Sequence, residues 1–194
     1  MSRQIDLVKR QLQDSINLKK EVQIKFGSDI VGVARVLSRS IQQGKKIFFC
    51  GNGGSAADAQ HLAAELVVRL KKNSKRKALP ALALSTNTSV LTACSNDFGF
   101  KQVYARQIEA LGQRGDCLVA ISTSGSSENV SLACRAAKRK GLKVISLLGD
   151  RGGNQSSLSD YKIIVPSSDT PRIQEVHITL GHIICELIER NLSK

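Results

Sequence analysis

The sequence predicts an α/β protein of three layers, in which a mostly parallel sheet lies between two layers of helices. Three observations support this prediction. After Gly44 the chain contains short apolar runs of the kind that form buried strands, and stretches of helical character separate the first four of them. Such alternation is typical of parallel sheets that helices cover on both faces. The 194 residues, 41% of them hydrophobic, suffice for one substantial core.

The N-terminal region is predicted to form two helices. Apolar residues recur at steps of three and four from residue 4 to residue 24, which is the stripe of an amphipathic helix. The pattern resumes after Phe26-Gly27-Ser28, and Gly44 would end the second helix. We expect these helices, in residues 1–43, to precede a compact unit in residues 44–194. The stripe of the first helix consists of Ile5, Val8, Leu12 and Ile16.

The remaining elements alternate along the chain. A capping residue and a proline, in Asp169-Thr170-Pro171, precede the last helix, which is predicted over residues 172–190. The segments at residues 71–77 and 149–159 are the most loop-like. The strands are predicted at residues 46–50, 81–85, 117–122, 144–148 and 163–165, and the helices between the first four strands at residues 56–70, 89–94, 103–111 and 129–140.

Composition restricts the classes of function. The formal net charge of +13 would attract anions, so nucleic acid and phosphorylated sugars are both partners to consider. The basic residues form short scattered clusters, and aromatic residues, at 4%, offer few platforms for stacking bases. We therefore expect a solvated basic surface rather than a nucleic-acid site.

Location is predicted from the N-terminus, the apolar runs and the cysteines. Residues 1–25 lack the pattern of a signal peptide, and no apolar run approaches the length of a membrane span. The five cysteines are widely separated, lie among apolar neighbours and form no pair with metal-site spacing. We therefore expect a cytoplasmic protein with buried, unreactive thiols and no contact with a membrane.

The segment Gly51-Asn52-Gly53-Gly54-Ser55 follows the first strand and leads into a helix. Glycine-rich turns at a helix N-terminus expose unpaired backbone N–H groups, which favour a phosphate or another anionic oxygen. The segment is neither a complete GxGxxG motif nor a P-loop, so no nucleotide is specifically indicated. Simple tight turns also use glycine, and the segment alone is a weak signal.

A second candidate anion site follows the third strand. The hydroxyls of Ser122, Thr123, Ser124 and Ser127, with the loop amides, could satisfy the oxygens of a phosphate without a lysine. Ligands of open parallel sheets bind at these strand ends. An ordinary serine-rich helix cap is the alternative, but the density of hydroxyls favours a phosphate-binding loop.

Two helices carry pairs of polar residues. His61 and Glu65 are four residues apart and share one helix face, as a metal site or an acid–base pair requires, although surface hydrogen bonds use the same spacing. Gln174 and His182 are eight residues apart on the last helix, an offset of about 80°, and can face one broad side. Periodicity does not choose between His182 and His177.

Taken together, these segments resemble the phosphoheptose isomerases of the sugar isomerase (SIS) domain family, whose fold is a flavodoxin-like αβα sandwich. The resemblance covers nearly the whole chain, and the joint pattern is far more specific than any single motif. It assigns a role to His182 and none to His177. The matching segments are Gly51-Asn52-Gly53-Gly54-Ser55, His61-x3-Glu65, Asn96-Asp97-Phe98-Gly99-Phe100, Ser122-Thr123-Ser124-Gly125, and Arg172-Ile173-Gln174-Glu175 with His182.

The resemblance implies isomerisation of sedoheptulose 7-phosphate to D-glycero-D-manno-heptose 7-phosphate, an early step toward bacterial surface heptoses of lipopolysaccharide or capsule. It also implies a homotetramer in which the N-terminal helices contribute to the bundle between subunits. One Zn²⁺ per subunit is implied at His61, Glu65, Gln174 and His182. The implied substrate contacts are Asn52, Gly53, Gly54, Ser55, Glu65, Asn96, Asp97, Ser122, Thr123, Ser124, Ser127 and Gln174.

Ketose–aldose interconversion moves one proton between C1 and C2 and another between their oxygens, through an enediol. We expect Glu65 and His182 to divide these transfers, while His61 and Gln174 complete the metal site. A non-enzymatic relative, which binds the bacterial replication initiator DnaA, keeps the fold but resembles the isomerases less at the catalytic positions. Because this chain has both Glu65 and His182, the enzyme is favoured over that relative and over a sugar-phosphate-binding regulator.

Overall fold

The computed structural model describes residues 2–193, so Met1 and Lys194, the outermost residues of the two predicted units, lie outside the described range. Within that range the strands form one parallel sheet in the order β2-β1-β3-β4-β5, which is the flavodoxin-like order. All the predicted strands are confirmed, with bounds that differ by at most two residues. The bounds are Ile47–Cys50 (β1), Ala81–Ala83 (β2), Cys117–Ser122 (β3), Lys143–Gly149 (β4) and Tyr161–Val165 (β5).

The helices in the described part of the chain follow the predicted alternation. The third helix runs beyond its predicted end at residue 94, and it therefore contains Asn96 and Asp97. Short 3₁₀ turns occur at Phe100–Gln102 and Asn154–Leu158. The α-helices are Ser2–Gln42 (α1), Gly54–Val67 (α2), Thr88–Phe98 (α3), Ala105–Leu111 (α4), Glu128–Arg139 (α5) and Thr170–Leu192 (α6).

Alternate residues of the strands face opposite layers of helices. Ile47 and Phe49 pack with α1, α2 and α6, whereas Phe48 and Cys50 pack with α3, α4 and α5. Every residue of β1 and β3 is buried. Burial on both faces explains why these strands are continuous apolar runs and do not alternate with polar residues.

The N-terminal region forms one helix, so the prediction of two helices was wrong. α1 continues through Gly27, an exposed position at which glycine costs about 1 kcal/mol relative to alanine. Val22 and Ile30, on either side of the glycine, are buried in the same core as α6, and this packing offsets the cost. The helix ends just before residue 43, where the first predicted unit ends.

The cysteines are free and buried, as predicted. Burial raises the pKa of the thiols of Cys50, Cys117, Cys134 and Cys185, so these four groups stay protonated near neutral pH. No helix in residues 2–193 combines the length and the hydropathy that are needed to cross a membrane.

Candidate functional site

The two predicted anion sites lie side by side at the carboxyl edge of the sheet. β1 and β3 are parallel neighbours, with Cys50 opposite Ala120, so the turn after β1 and the loop after β3 emerge together. The strand order also reverses here, because β2 lies on one side of β1 and β3 on the other. In open α/β sheets this crevice is where ligands bind.

The glycine turn leads directly into α2. Gly53 precedes the helix with a φ of 54°, which residues with a side chain rarely adopt. Gly53, as the N-cap residue, has no side chain to cap the first turn of α2, so the N–H groups of that turn and the positive end of the helix dipole can interact with an anion. Gly53 and Gly54 are exposed, whereas Ser55, another predicted contact, is buried.

Gln174 of α6 covers the start of α2. A Cβ atom built on Gly54 would lie 2.5 Å from Nε2 of Gln174, so the amide packs directly on the glycine backbone. Any side chain at position 54 would displace it. Gly54 is therefore needed for the close approach of the Gln174 side chain.

The loop after β3 presents its hydroxyls at the N-terminus of α5. Oγ of Ser122 accepts a hydrogen bond from the N–H of Gly125 (3.1 Å), and Oγ of Ser124 accepts one from the N–H of Ser126 (3.2 Å). A hydroxyl that is used as an acceptor keeps its proton for donation. The N-cap residue of α5, Ser127, makes no side-chain hydrogen bond to the first turn of the helix. The loop can therefore donate several hydrogen bonds to one anion.

The segment after β4 holds this hydroxyl loop in place. A Cβ atom at Gly149 would lie 2.5 Å from the carbonyl oxygen of Thr123, and one at Gly125 would overlap the main chain of the segment after β4. The main-chain N–H of Gln155 donates to the carbonyl of Gly125 (3.0 Å), and its side-chain amide donates to the carbonyl of Ser127 (3.1 Å). Gln155 is fully buried, so the loop is fixed by packing as well as by hydrogen bonds.

Sequence reasoning missed two residues that join the loops. Asn129 and Asn52 exchange two side-chain hydrogen bonds, of 2.9 and 2.8 Å. The hydroxyl of Tyr104 donates to the carbonyl of Gly51 (2.5 Å), and burial raises its pKa to about 12, so it remains a donor at neutral pH. Asn52, a predicted substrate contact, thus uses its amide to tie the turn to α5. No local pattern marks Asn129 or Tyr104, since each acts on a residue distant in sequence.

His61, Glu65 and His182 come together where α2 faces α6. Nε2 of His61 lies 2.8 Å from Nε2 of His182 and 3.3 Å from Oε1 of Glu65. The contact between the rings requires one nitrogen to donate and the other to accept. The His61 side chain is 49% exposed and that of Glu65 is 18% exposed, so the cluster is open to solvent on one side. Burial raises the pKa of the nearby Asp58 carboxyl, and His61 opposes that shift.

This cluster has the composition and the spacing of a zinc site. Each of the three residues offers a ligand atom, and these atoms lie within 4.8 Å of one another. Two ligand atoms that bind one zinc ion in a tetrahedral site are roughly 3.3 Å apart, close to the observed separations. Two imidazoles and a carboxylate are donors that zinc accepts. The donor set therefore fits a metal ion.

The fourth predicted ligand, Gln174, lies at a different level of α6. It precedes His182 by eight residues, which is about 12 Å along a helix axis. No hydrogen bond within residues 2–193 joins it to His61, Glu65 or His182. Its amide is placed at the glycine turn.

His177 is part of the core. Its ring is buried, and its Nε2 lies 3.1 Å from the carbonyl oxygen of Leu148. Burial lowers the pKa of His177 to about 4, so the ring is neutral at physiological pH. This position agrees with the absence of a site role for His177.

Asn96 and Asp97 are exposed in the last turn of α3. Nδ2 of Asn96 donates to Oδ1 of Asp97 (2.9 Å). Across the described chain, no hydrogen bond links either residue to the glycine turn or the hydroxyl loop, so their contact with a substrate rests on the resemblance alone.

Comparisons with known proteins agree with this architecture. Residues 12–149 match the family model of the SIS domain, so the chain belongs to the SIS domain family. A similar protein of Clostridium acetobutylicum, named phosphoheptose isomerase, is 46% identical over 190 residues, which span 96% of this chain and 95% of that one. The phosphoheptose isomerase of Nitratiruptor sp. is 59% identical over 152 residues, 78% of this chain and 80% of that one. The solved structure of phosphoheptose isomerase from Neisseria gonorrhoeae has a TM-score of 0.89 and 41% identity, and the match covers 95% and 98% of the two chains.

Proposed function

We propose that this protein is a phosphoheptose isomerase, an aldose–ketose isomerase that converts sedoheptulose 7-phosphate to D-glycero-D-manno-heptose 7-phosphate through an enediol. The observation that carries the proposal is the convergence of His61, Glu65 and His182 on α2 and α6, since α2 begins at the glycine turn, one of the two candidate anion-binding loops. Relatives that match nearly the whole chain bear the name of this activity. A relative that only binds a partner would not need a proton-transfer pair.

The substrate phosphate binds in the hydroxyl loop. Thr123 and three serines of the loop donate O–H hydrogen bonds, and the N-terminus of α5 favours the negative charge. The exposed backbone of Gly53 and Gly54, with Asn52, Ser55 and the amide of Gln174, contacts the oxygens of the sugar. The loop after β3 thereby holds the phosphate end of the substrate and the turn after β1 holds the sugar end, and the pairing of β1 with β3 fixes the two loops relative to each other. The three serines are Ser122, Ser124 and Ser127.

Glu65 and His182 divide the two proton transfers. One group removes the carbon-bound proton and returns it to the neighbouring carbon, while the other moves the proton between the two oxygens. Both groups adjoin Nε2 of His61, at 3.3 and 2.8 Å, so they are close enough to act on one two-carbon unit.

His61, Glu65 and His182 would hold a zinc ion, with Gln174 as a fourth ligand. When bound, the ion polarises the carbonyl group and stabilises the negative charge that develops on its oxygen. A glutamine amide is a weak zinc ligand, and Gln174 would have to turn away from Gly54 to reach the cluster. We therefore expect loose metal binding, which leaves the Glu65 carboxylate able to reach the substrate.

The protein acts as a cytoplasmic homotetramer that supplies heptose precursors for lipopolysaccharide or capsule. The apolar stripe of α1 supports an assembly, because its members are 47% to 61% exposed in the single chain. Asn96 and Asp97 complete the substrate contacts from α3. The stripe consists of Ile5, Val8, Leu12 and Ile16.

The test of the proposed function is incubation of the purified protein with sedoheptulose 7-phosphate, followed by NMR of the sugar carbons. Parallel samples contain added zinc, or a chelator followed by zinc. We expect the aldose 7-phosphate to appear, more slowly after chelation, and the rate to recover when zinc is restored. If no sample forms the product, the proposal is wrong.

A further inference from the structure

The basic loop at residues 71–77 contains one arginine that is not part of the solvated surface. The side chain of Arg76 is only 4% exposed, and Nε of Arg76 lies 2.8 Å from Oε1 of Glu189 in α6, whose side chain is 7% exposed. The lysines of the same loop are exposed. A buried charge is costly unless it is paired and hydrogen-bonded, so the contacts of this pair are informative about what it holds together.

Arg76 binds the C-terminal end of α2. Its Nη2 donates to the carbonyl of Glu65 (2.7 Å), its Nε donates to Glu189, and its Nη1 donates to the carbonyl of Lys77 (2.9 Å). All three nitrogens of the guanidinium are therefore used. One of them reaches the main chain of the residue proposed to transfer protons.

The carbonyl of Glu65 needs this donor. The N–H of Val68 donates to the carbonyl of Ala64, and the helix ends at Val67, so the next carbonyl, that of Glu65, has no partner inside the helix. A guanidinium at this position satisfies the carbonyl and complements the negative end of the helix dipole. Arg76 thus caps α2 at the turn that carries Glu65.

Glu189 connects this cap to α6. Its Oε1 accepts hydrogen bonds from Nε of Arg76 (2.8 Å) and from the N–H of Leu70 (3.0 Å), beyond the end of α2. His182 precedes Glu189 by seven residues, about two turns, so both side chains lie on the same side of α6. The same side of α6 therefore makes two contacts with the α2 region: His182 contacts His61, and Glu189 binds the segment at the end of α2.

Cys185 lies in the same part of α6 and belongs to the core that Leu62 and Leu66 of α2 also form. Its thiol is buried between the levels of His182 and Glu189 on α6. Burial raises the pKa of this thiol to about 12, and the charges of Glu65, Glu189 and Arg76 also act on it. Arg76 therefore links Glu189 of α6 to the main chain of Glu65 in α2 beside this buried thiol.

We propose that Arg76 is a positioning residue, which together with Glu189 fixes the end of α2 against α6 and so sets the separation of His61 and Glu65 from His182. The catalytic consequence of this inference rests on the proposed function. The geometric consequence does not rest on the proposed function, because it concerns only the distances between His61, Glu65 and His182.

A double replacement separates positioning from folding. Removing Arg76 alone would leave Glu189 charged and buried without its partner, which destabilises proteins strongly. Arg76→Met combined with Glu189→Met removes both charges and fills most of the volume, a replacement that folds often tolerate. Arg76→Lys keeps the charge but not the three forked hydrogen bonds. The control is Arg190→Met, because Arg190 follows Glu189 in α6 but has a side chain that is 73% exposed.

The histidine rings report the geometry directly. The chain has three histidines, so ¹⁵N-labelled rings give few signals. We expect the ring signals of His61 and His182 to move in the double variant, while those of His177, held against Leu148, stay in place. A folded double variant with all ring signals unchanged would overturn the proposal. If the double variant does not fold, the ring signals of the Arg76→Lys variant are measured instead, and unchanged signals in that folded variant would overturn the proposal.

Two further measurements give the size of the effect. Zinc affinity, from competition with a chromophoric chelator, should fall about 10- to 100-fold in the double variant. The kcat for sedoheptulose 7-phosphate should fall by a similar factor with KM little changed, because the hydroxyl loop is untouched. Arg76→Lys should recover part of both losses, and Arg190→Met should match the wild type. If the wild type itself turned over no heptose phosphate, the proposed function would fail, whereas ring signals and zinc affinity would still test the role of Arg76.

Discussion

At the scale of single residues, the candidate site combines groups that are proposed to transfer protons with glycines that let other side chains approach. His61 links the first kind, since its Nε2 lies within 3.3 Å of both Glu65 and His182. Gly54 is the clearest example of the second, because it admits the amide of Gln174 against its backbone. His61 follows Gly54 by seven residues, so the groups proposed for catalysis begin about two turns further along α2.

Gly54→Ala should separate substrate binding from stability. Alanine is favoured over glycine in a helix by roughly 0.5–1 kcal/mol, but the new Cβ would lie 2.5 Å from Nε2 of Gln174 and displace that amide. We expect a folded protein whose free energy of unfolding changes by less than about 1 kcal/mol and whose KM rises about tenfold, the equivalent of one lost hydrogen bond. The measurements are denaturant unfolding and steady-state kinetics. Gly27→Ala, in open space in α1, is the matched control, and an unchanged KM in Gly54→Ala would contradict the placement of Gln174.

At the scale of elements, the crevice exists because separate segments are tied together at the carboxyl ends of β1 and β3. Asn129 of α5 binds Asn52 of the glycine turn, and Tyr104, just before α4, binds the carbonyl of Gly51. Gln155 supports the hydroxyl loop from the segment after β4. The two candidate anion-binding loops are thus held by hydrogen bonds from three other segments of the chain.

Tyr104→Phe tests this arrangement. Tyr104 is 2% exposed and its ring would keep its packing, but the carbonyl of the buried Gly51 would lose its donor. We expect the free energy of unfolding to fall by about 1–2 kcal/mol, with a moderate loss of kcat/KM as the turn becomes less fixed. Tyr161→Phe is the control, because Tyr161 is 38% exposed. Equal stability of the two variants would argue against a role for the Tyr104 hydroxyl.

At the scale of the whole molecule, the two edges of the sheet differ. The candidate site occupies the carboxyl edge, while the amino edge carries a buried charge at Asp116, just before β3. Its carboxylate accepts from the N–H groups of Lys46 (3.0 Å) and Gln113 (2.8 Å) and pairs with Nζ of Lys46 at 2.8 Å. This edge holds strands together and is not expected to contact substrate.

Asp116→Asn should therefore affect stability alone. The amide cannot accept every hydrogen bond that the carboxylate accepts, and it leaves Lys46 without its partner. We expect a loss of about 3 kcal/mol in the free energy of unfolding, measured by denaturant, with kcat unchanged below the unfolding transition. A fall in kcat of the folded variant would show that the two edges are coupled.

The free energy of unfolding should decrease at acidic pH because of His177. Its pKa in the folded protein is about 4, below the unfolded value of 6.5, because the ring is buried. The unfolded chain therefore binds this proton first, and the stability present above pH 6.5 is lost as the pH falls toward 4. We expect the wild type to lose about 3 kcal/mol more than His177→Gln between pH 7 and pH 4. Parallel stability curves for the two proteins would contradict a neutral, buried ring.

The features that the sequence predicts depend on residues close together along the chain, whereas the features that it does not predict depend on contacts between distant residues. Continuous apolar runs between glycine- or serine-rich turns were enough to predict the strands, and a four-residue spacing placed His61 and Glu65 on one face. The continuity of α1 through Gly27 depends on packing against other elements, and the residues near Gly27 in the sequence do not reveal that packing. His182 approaches His61 although the two residues are 121 positions apart in the sequence. Arg76 likewise binds a distant residue, Glu189 of α6. These contacts are set by tertiary packing, so no spacing rule marks them.

The central claim, that Glu65 takes part in proton transfer on a phosphorylated ketose, is tested most directly by Glu65→Gln. Glutamine keeps the size of the side chain but does not accept and return a proton. The measurement is turnover of sedoheptulose 7-phosphate by the wild type and the variant, with binding of the sugar to each followed by calorimetry. We expect similar binding and a loss of turnover of about 10³-fold. Turnover retained in Glu65→Gln would contradict the assignment.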